Sequence, residues 1–429
     1  MTMRRSSALA AALGLPLLLA ACGTGGSGAQ SSTEELPAGQ KVEGEITFWH
    51  AYSEGGPEVT TLEEEVIPAF EKAHPGTEVK PVTVQYDQLH QKLVTAAAGE
   101  SLPDVVRSDI IWVPELADLG VLVPLDQAMP DFEKLAEQTY DGPLATNKWQ
   151  DSYYGLPLTT NTKVMLYNEQ ALDEAGVGVP ETFDDLRASA PKVAETGNYL
   201  LAEADAAGWQ VLPYIWSNGG DITDEDITTS DGYLNGPKSV EAVELLVDLY
   251  EQQALPKLIL GGGGGTNTFE GLANGMYATI VDGPWAFPII EGQFKDFEMK
   301  TAPMPHGDGE STSVVGGENL VITQASENKQ LAAEFTRYML SEEAQLAMAE
   351  AGQISVLESL SDKMVEIEPS YEEYMNQLQT ARPRPPTPAW TKIDEIIRKQ
   401  VQLAVRGDMT AQEAMDEAVA QIDPLLERG

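Results

Sequence analysis

The side chains able to do chemistry here are chiefly tryptophans and carboxylates. Seven tryptophans and 68 aspartates and glutamates stand beside four histidines and one cysteine in 429 residues. His50, His74, His90 and His306 are scattered; His74 precedes a proline in a turn and His90 falls on a helix surface. The lone Cys22 excludes a disulfide framework, a cysteine metal cluster and a dithiol redox pair. No Gly-x-Ser-x-Gly elbow and no His-Glu-x-x-His motif occurs. The run Gly261 to Gly265 is not followed by Gly-Lys-Ser/Thr, so it reads as a loop rather than a phosphate cradle. Two chemistries remain. Close carboxylate pairs serve glycoside hydrolysis, and 68 acids supply such pairs by chance. Flat indoles bury apolar area without demanding hydrogen bonds, and acids and amides pair with a ligand's polar groups. Trp285 is placed for the second role: it ends Asp282-Gly-Pro-Trp285, a turn after a strand that projects the ring outward.

Alternating α and β elements must position these groups. Glu45 to His50, Thr77 to Val84 and Asp104 to Ser108 read as strands. Between them, Val59 to Lys72 and Asp87 to Ala98 carry helical spacing, and Pro114 to Leu119 follows as a helix. A second set starts near Tyr154: strands Lys163 to Tyr167 and Met276 to Val281, helices Phe183 to Ala194 and Ser239 to Gln253. Four late helices follow, at 331–340, 342–350, 391–405 and 411–425. This is the pattern of α/β lobes with helices covering sheets.

The ends and the charge narrow the setting. Arg4 and Arg5 precede an apolar run, Ala8 to Ala20, too short and too kinked by Gly14 and Pro16 to span a bilayer. Leu19-Ala-Ala-Cys22 then resembles the lipobox of bacterial lipoproteins, which implies cleavage before Cys22 and its diacylation. Residues 22–43 read as a flexible tether, because Gly23 to Ser32 has nothing larger and apolar than alanine. The remaining length calls for two domains. A formal net charge of −42 repels nucleic acid and bare anionic lipid.

Several segments line up with one family. They include Phe48-Trp-His-Ala-Tyr-Ser-Glu54, Tyr86 to Gly99 with Pro103-Asp-Val-Val106, and Tyr154-Gly-Leu-Pro157 before Val164-Met-Leu-Tyr-Asn168. Further on come Trp216-Ser-Asn-Gly-Gly220, Asp282-Gly-Pro-Trp-Ala286, Gly316-Gly-Glu-Asn-Leu320 and Ser341-Glu-Glu-Ala-Gln345. In this order the chain resembles the bacterial extracellular solute-binding proteins of family 1, the maltose-binding type of sugar-binding ABC-transporter lipoprotein. The resemblance implies an α/β, two-lobe periplasmic-binding-protein-like (type II) fold with an interlobe ligand cleft and hinge. By that pattern residues 1–21 are the signal peptide, 44–158 plus 296–340 form lobe one, and 159–295 plus 341–429 form lobe two. It implies a monomer, lipid-anchored on the extracellular face of the cell membrane, that delivers a di- or oligosaccharide to an ABC permease without cofactor or metal.

The resemblance also nominates residues. Trp285, Trp209 and Trp390 correspond to aromatics that stack on sugar, with core packing as the alternative for each. Asp282 lies at the cleft edge. Ser53 and Glu54 match a sugar-contacting loop, although relatives carry a basic residue at the second position. Arg107, Ser108 and Asp109 follow the strand where relatives place sugar-contacting groups. Asn161 stands where a relative has a carboxylate. Glu318 is a hydroxyl acceptor or a solvated acid, and Gly317 would let backbone approach the ligand. Arg382 and Arg384 reach the cleft or pair with surface acids. The rival readings are the same fold around a metal chelate, peptide or polyamine, and a glycoside hydrolase.

Overall fold

The computed structural model describes residues 34–99, 101–261 and 267–427; the leader and Cys22 lie outside them. In chain order the strands are β1 (Gly44–His50), β2 (Thr77–Thr83), β3 (Val105–Asp109), β4 (Lys148–Trp149), β5 (Ser152–Tyr153), β6 (Gly155–Asn161), β7 (Val164–Tyr167), β8 (Tyr199–Ala202), β9 (Tyr277–Asp282), β10 (Lys300–Ala302), β11 (Gly316–Ile322) and β12 (Ile354–Ser355). A six-stranded sheet runs β12-β6-β11-β3-β1-β2 and a four-stranded sheet β10-β7-β9-β8. β1, β2 and β3 are parallel, and β11 lies antiparallel to both β3 and β6. Parallel strands need crossovers: helical segments over 57–73 join β1 to β2, and the helix Tyr86–Ala98 joins β2 to β3. Helices on the faces leave every residue of β3 buried.

Each sheet has its own core. Around the first, Phe335 meets Phe48 and Phe70 edge-on, both at 5.3 Å between ring centres. Around the second, the helices Gly208–Ser217, Pro237–Glu251, Trp390–Val405 and Ala411–Leu426 bury Leu212, Leu246, Ile397 and Met415. The chain passes between the sheets at Thr162–Lys163 and again between β10 and β11. These passages are stitched together: the Thr162 hydroxyl donates to the Val314 carbonyl, and the Ser313 hydroxyl to the Lys163 carbonyl, each at 2.8 Å.

Four expected boundaries move. β6 stays in the first sheet to Asn161, past the expected limit at 158, because Thr159, Thr160 and Asn161 pair with β11, and Thr159 and Thr160 also with β12. β10 pairs with β7 and so belongs to the second sheet, whereas β12 belongs to the first. The tether ends earlier than residue 43. Leu36 is 0% exposed, donates its N–H to the Ala128 carbonyl and accepts from the Arg337 guanidinium, so the chain is docked on the first core from there.

Candidate binding site

Five strand ends face one another where the two sheets meet: Asp109 ends β3, Asn161 ends β6 and Gly316 starts β11, while Val164 starts β7 and Asp282 ends β9. Crevices beyond strand ends are where open α/β sheets take ligands.

From the first sheet come two acids side by side, Glu318 directly opposite Asp109. Like charges in that relation repel unless each is matched. Arg107 Nη2 lies 2.7 Å from Glu318 Oε2, and Arg384 Nη2 lies 3.5 Å from Asp109 Oδ1. The quartet is thus electroneutral. The Thr159 hydroxyl also donates to Glu318 at 2.7 Å, and Tyr86 to Asp109 at 2.6 Å. Burial still pushes the Glu318 carboxyl above its ordinary range, against the pull of Arg107. The register slips between Glu318 and Asn319, where Leu158 of β6 has no partner on β11. Gly317, next to Glu318, packs tightly against β6. Its φ is +134°, and a Cβ there would come within 2.3 Å of the Thr159 carbonyl. Gly317 therefore admits the neighbouring strand β6.

Arg107 extends the arrangement. Its guanidinium lies 4.0 Å over the Tyr52 ring and donates to Gln353 Oε1 at 3.3 Å. Gln353 donates in turn to Glu58, which accepts the Ser53 N–H. Ser53 reaches the site through that contact with Glu58, and Ser53 and Glu54 themselves sit in an exposed loop. Ser108 is buried and its hydroxyl turns back to the Asp109 carbonyl, a local structural role.

The second sheet supplies the aromatics. Trp209 opens the helix Gly208–Ser217, and Trp285 follows the Gly283-Pro284 turn after β9. Their ring centres are 6.3 Å apart at 30°, a stacked pair, and both are half-buried. Glycines make room for both rings. A Cβ on Gly283 would meet the Trp285 indole at 2.2 Å, and one on Gly316 would meet Asn161 Oδ1 at 2.2 Å and Trp209 at 2.6 Å. Arg384 lies 5.4 Å from the centre of Trp209, tying the aromatic side to the acid side. Burial raises the Asp282 carboxyl above its ordinary range and Lys163 pulls it back; Asp282 Oδ1 accepts the Gly283 N–H at 2.8 Å.

Of the nominated residues, Trp285, Trp209, Asp282, Asn161, Arg107, Asp109 and Glu318 converge. Trp390 does not: it is 1% exposed in the second core and packs beneath Gly208, under the helix that carries Trp209. Tyr52, Glu58, Tyr86, Thr159 and Gln353 were missed. Four buried polar atoms around the junction lack a partner among the described residues: Arg107 Nε, Arg384 Nε, Thr160 Oγ1 and Asn161 Oδ1. Two guanidinium donors, a hydroxyl that both donates and accepts, and an amide oxygen left unpaired are costly unless something fills them.

Known proteins share this architecture. The chain is 27% identical, over 71% of its own length and 70% of the relative's, to an arabinooligosaccharide-binding protein of Halalkalibacterium halodurans. It is 25% identical to an uncharacterized lipoprotein of Streptomyces antibioticus, over 79% of the chain and 73% of that protein. The GacH receptor of Streptomyces glaucescens, solved unliganded and with acarbose, superposes with a TM-score of 0.81 at 27% identity, covering 90% of this chain and 99% of that one. The family profile of the bacterial extracellular solute-binding proteins matches residues 55–346, well over half of the chain, and the protein belongs to that family.

Proposed function

We propose that this protein captures a neutral di- or oligosaccharide between its lobes and presents it, chemically unchanged, to an ABC permease. The stacked pair Trp209 and Trp285, facing the Arg107–Glu318–Asp109–Arg384 quartet, carries the reading. Sugar rings have apolar C–H faces that suit indoles, and hydroxyls that suit the unpaired donors and acceptors around the junction. The quartet's balance of charge favours an uncharged ligand. The names of relatives that bind oligosaccharides support the same class.

The acids support binding rather than hydrolysis. Glu318 and Asp109 each have an arginine at hand, and neither stands free as a general acid or nucleophile. We also infer a monomer held outside the cell by a lipid on Cys22, consistent with the lipobox-like leader and the lipoprotein relative. Calorimetry against neutral sugars, uronates, cations and peptides, with a turnover assay on any sugar that binds, tests the proposal. Saturable heat with a neutral oligosaccharide and no cleavage is expected. Cleavage, or binding confined to another ligand class, would refute it.

A further inference from the structure

One exposed ring beside the site has no part in the reading above. Among the described residues four large hydrophobic side chains are exposed: Tyr86, Leu119, Tyr233 and Met276. Of these, Tyr86 alone donates to a member of the quartet, its hydroxyl lying 2.6 Å from Asp109 Oδ2. Burial and the Asp109 charge push that hydroxyl well above its ordinary range, so it remains a donor. The residue as a whole is nevertheless 45% exposed. One side of the ring is covered: Trp112, 3% exposed, has its ring centre 5.4 Å away at 30°. Tyr86 is thus pinned at its hydroxyl and backed by an indole, and what is left of the ring is open.

The open ring stands at the junction of the lobes. Tyr86 starts the helix Tyr86–Ala98, and His90 follows it one turn on along the same face. His90 Nε2 lies 3.5 Å from Thr391 Oγ1, at the start of the helix Trp390–Val405 of the second core. On the other oxygen of Asp109 stands Arg384, at 3.5 Å, and its guanidinium lies 5.4 Å from the centre of Trp209. Contacts therefore run from Tyr86 through Asp109 and Arg384 to the indole pair.

We propose that Tyr86 is a further stacking residue for the ligand: its open ring takes a sugar unit from the first lobe, while Trp209 and Trp285 take one from the second. This rests on the reading that the site binds a neutral oligosaccharide. Apolar C–H faces suit a phenol ring as they suit indoles. A ring held in place before binding adds little ordering cost to the complex.

Tyr86→Phe and Tyr86→Ala both lose the hydroxyl, so the step between them isolates the ring. The assay is calorimetric titration with a panel of neutral oligosaccharides that includes maltotriose and arabinotriose. For the sugar that wild type binds best, Tyr86→Ala should bind about tenfold more weakly than Tyr86→Phe, the equivalent of about 1.4 kcal/mol. Equal affinity in the two variants would overturn the proposal. If Tyr86→Ala does not fold, the wild type decides. In protein labelled with 3-fluorotyrosine, the 19F resonance of Tyr86, assigned by its loss from Tyr86→Phe, moves when that sugar is added, or stays and refutes the proposal. If wild type binds no member of the panel, the sugar reading falls and this inference with it. If wild type binds and the ring step is nil, this inference alone falls.

Discussion

Trp285→Ala separates a binding indole from a structural one. The ring is half-buried, belongs to none of the hydrophobic cores and stacks on Trp209 at 6.3 Å. Removing an aromatic anchor from a ligand contact costs about 1–3 kcal/mol. That range raises Kd about 5- to 150-fold. The stability cost should be about 1 kcal/mol, because no closed cavity is created. Trp390→Ala gives the contrast: that ring is 1% exposed, so its loss should cost about 3–5 kcal/mol of stability. Calorimetric titration with the bound sugar and urea unfolding of both variants measure the two effects. A Trp285→Ala protein of unaltered affinity, or one that loses as much stability as Trp390→Ala, would refute the reasoning.

Three further outcomes are expected. Gly316→Ala places a methyl 2.2 Å from Asn161 Oδ1 and 2.6 Å from Trp209, so it should tilt the indole and weaken binding by about tenfold or more, read by titration. Leu36→Ala empties a fully buried site and should cost about 2–5 kcal/mol in urea unfolding with affinity unchanged, since residue 36 docks far from the strand ends. Burial raises Glu203 to about 6, with Lys163 holding it back, so the native protein takes up this proton before the unfolded chain does. Glu203 therefore adds stability as pH falls from 7 toward 5, by up to about 2 kcal/mol. Glu203→Gln should lose that increment, and parallel pH profiles for the two proteins would contradict it.

The sequence conveyed the strands and helices with clean periods and lost those that break local rules. Pro157 speaks against a strand interior. Yet β6 pairs with β11 on both sides of Leu158, and Pro157 falls opposite Asn319, beside the point where the register slips and Leu158 has no partner. The paired glycines at 316 and 317 hid the start of β11 in the same way. Trp390 shows a period that was legible: residues 390, 393, 397, 400, 401 and 404 are all buried along one helix face, the spacing of a core helix. Trp285 was legible from its Gly-Pro turn after a strand, and Trp209 was found through the family resemblance. Arg107, Glu318 and Asp109 came the same way, but their mutual pairing did not. The partner of Glu58 is Gln353, 295 residues away, and no local spacing announces such a contact.

The central claim is that the lobes trap an intact neutral carbohydrate against the two indoles. Native mass spectrometry of the full chain, released gently and then denatured to free any co-purified molecule, addresses it most directly. The account predicts a one-to-one complex whose added mass is an uncleaved oligosaccharide, lost from Trp285→Ala. An added mass belonging to a metal ion, a peptide or a sugar cleavage product would contradict it.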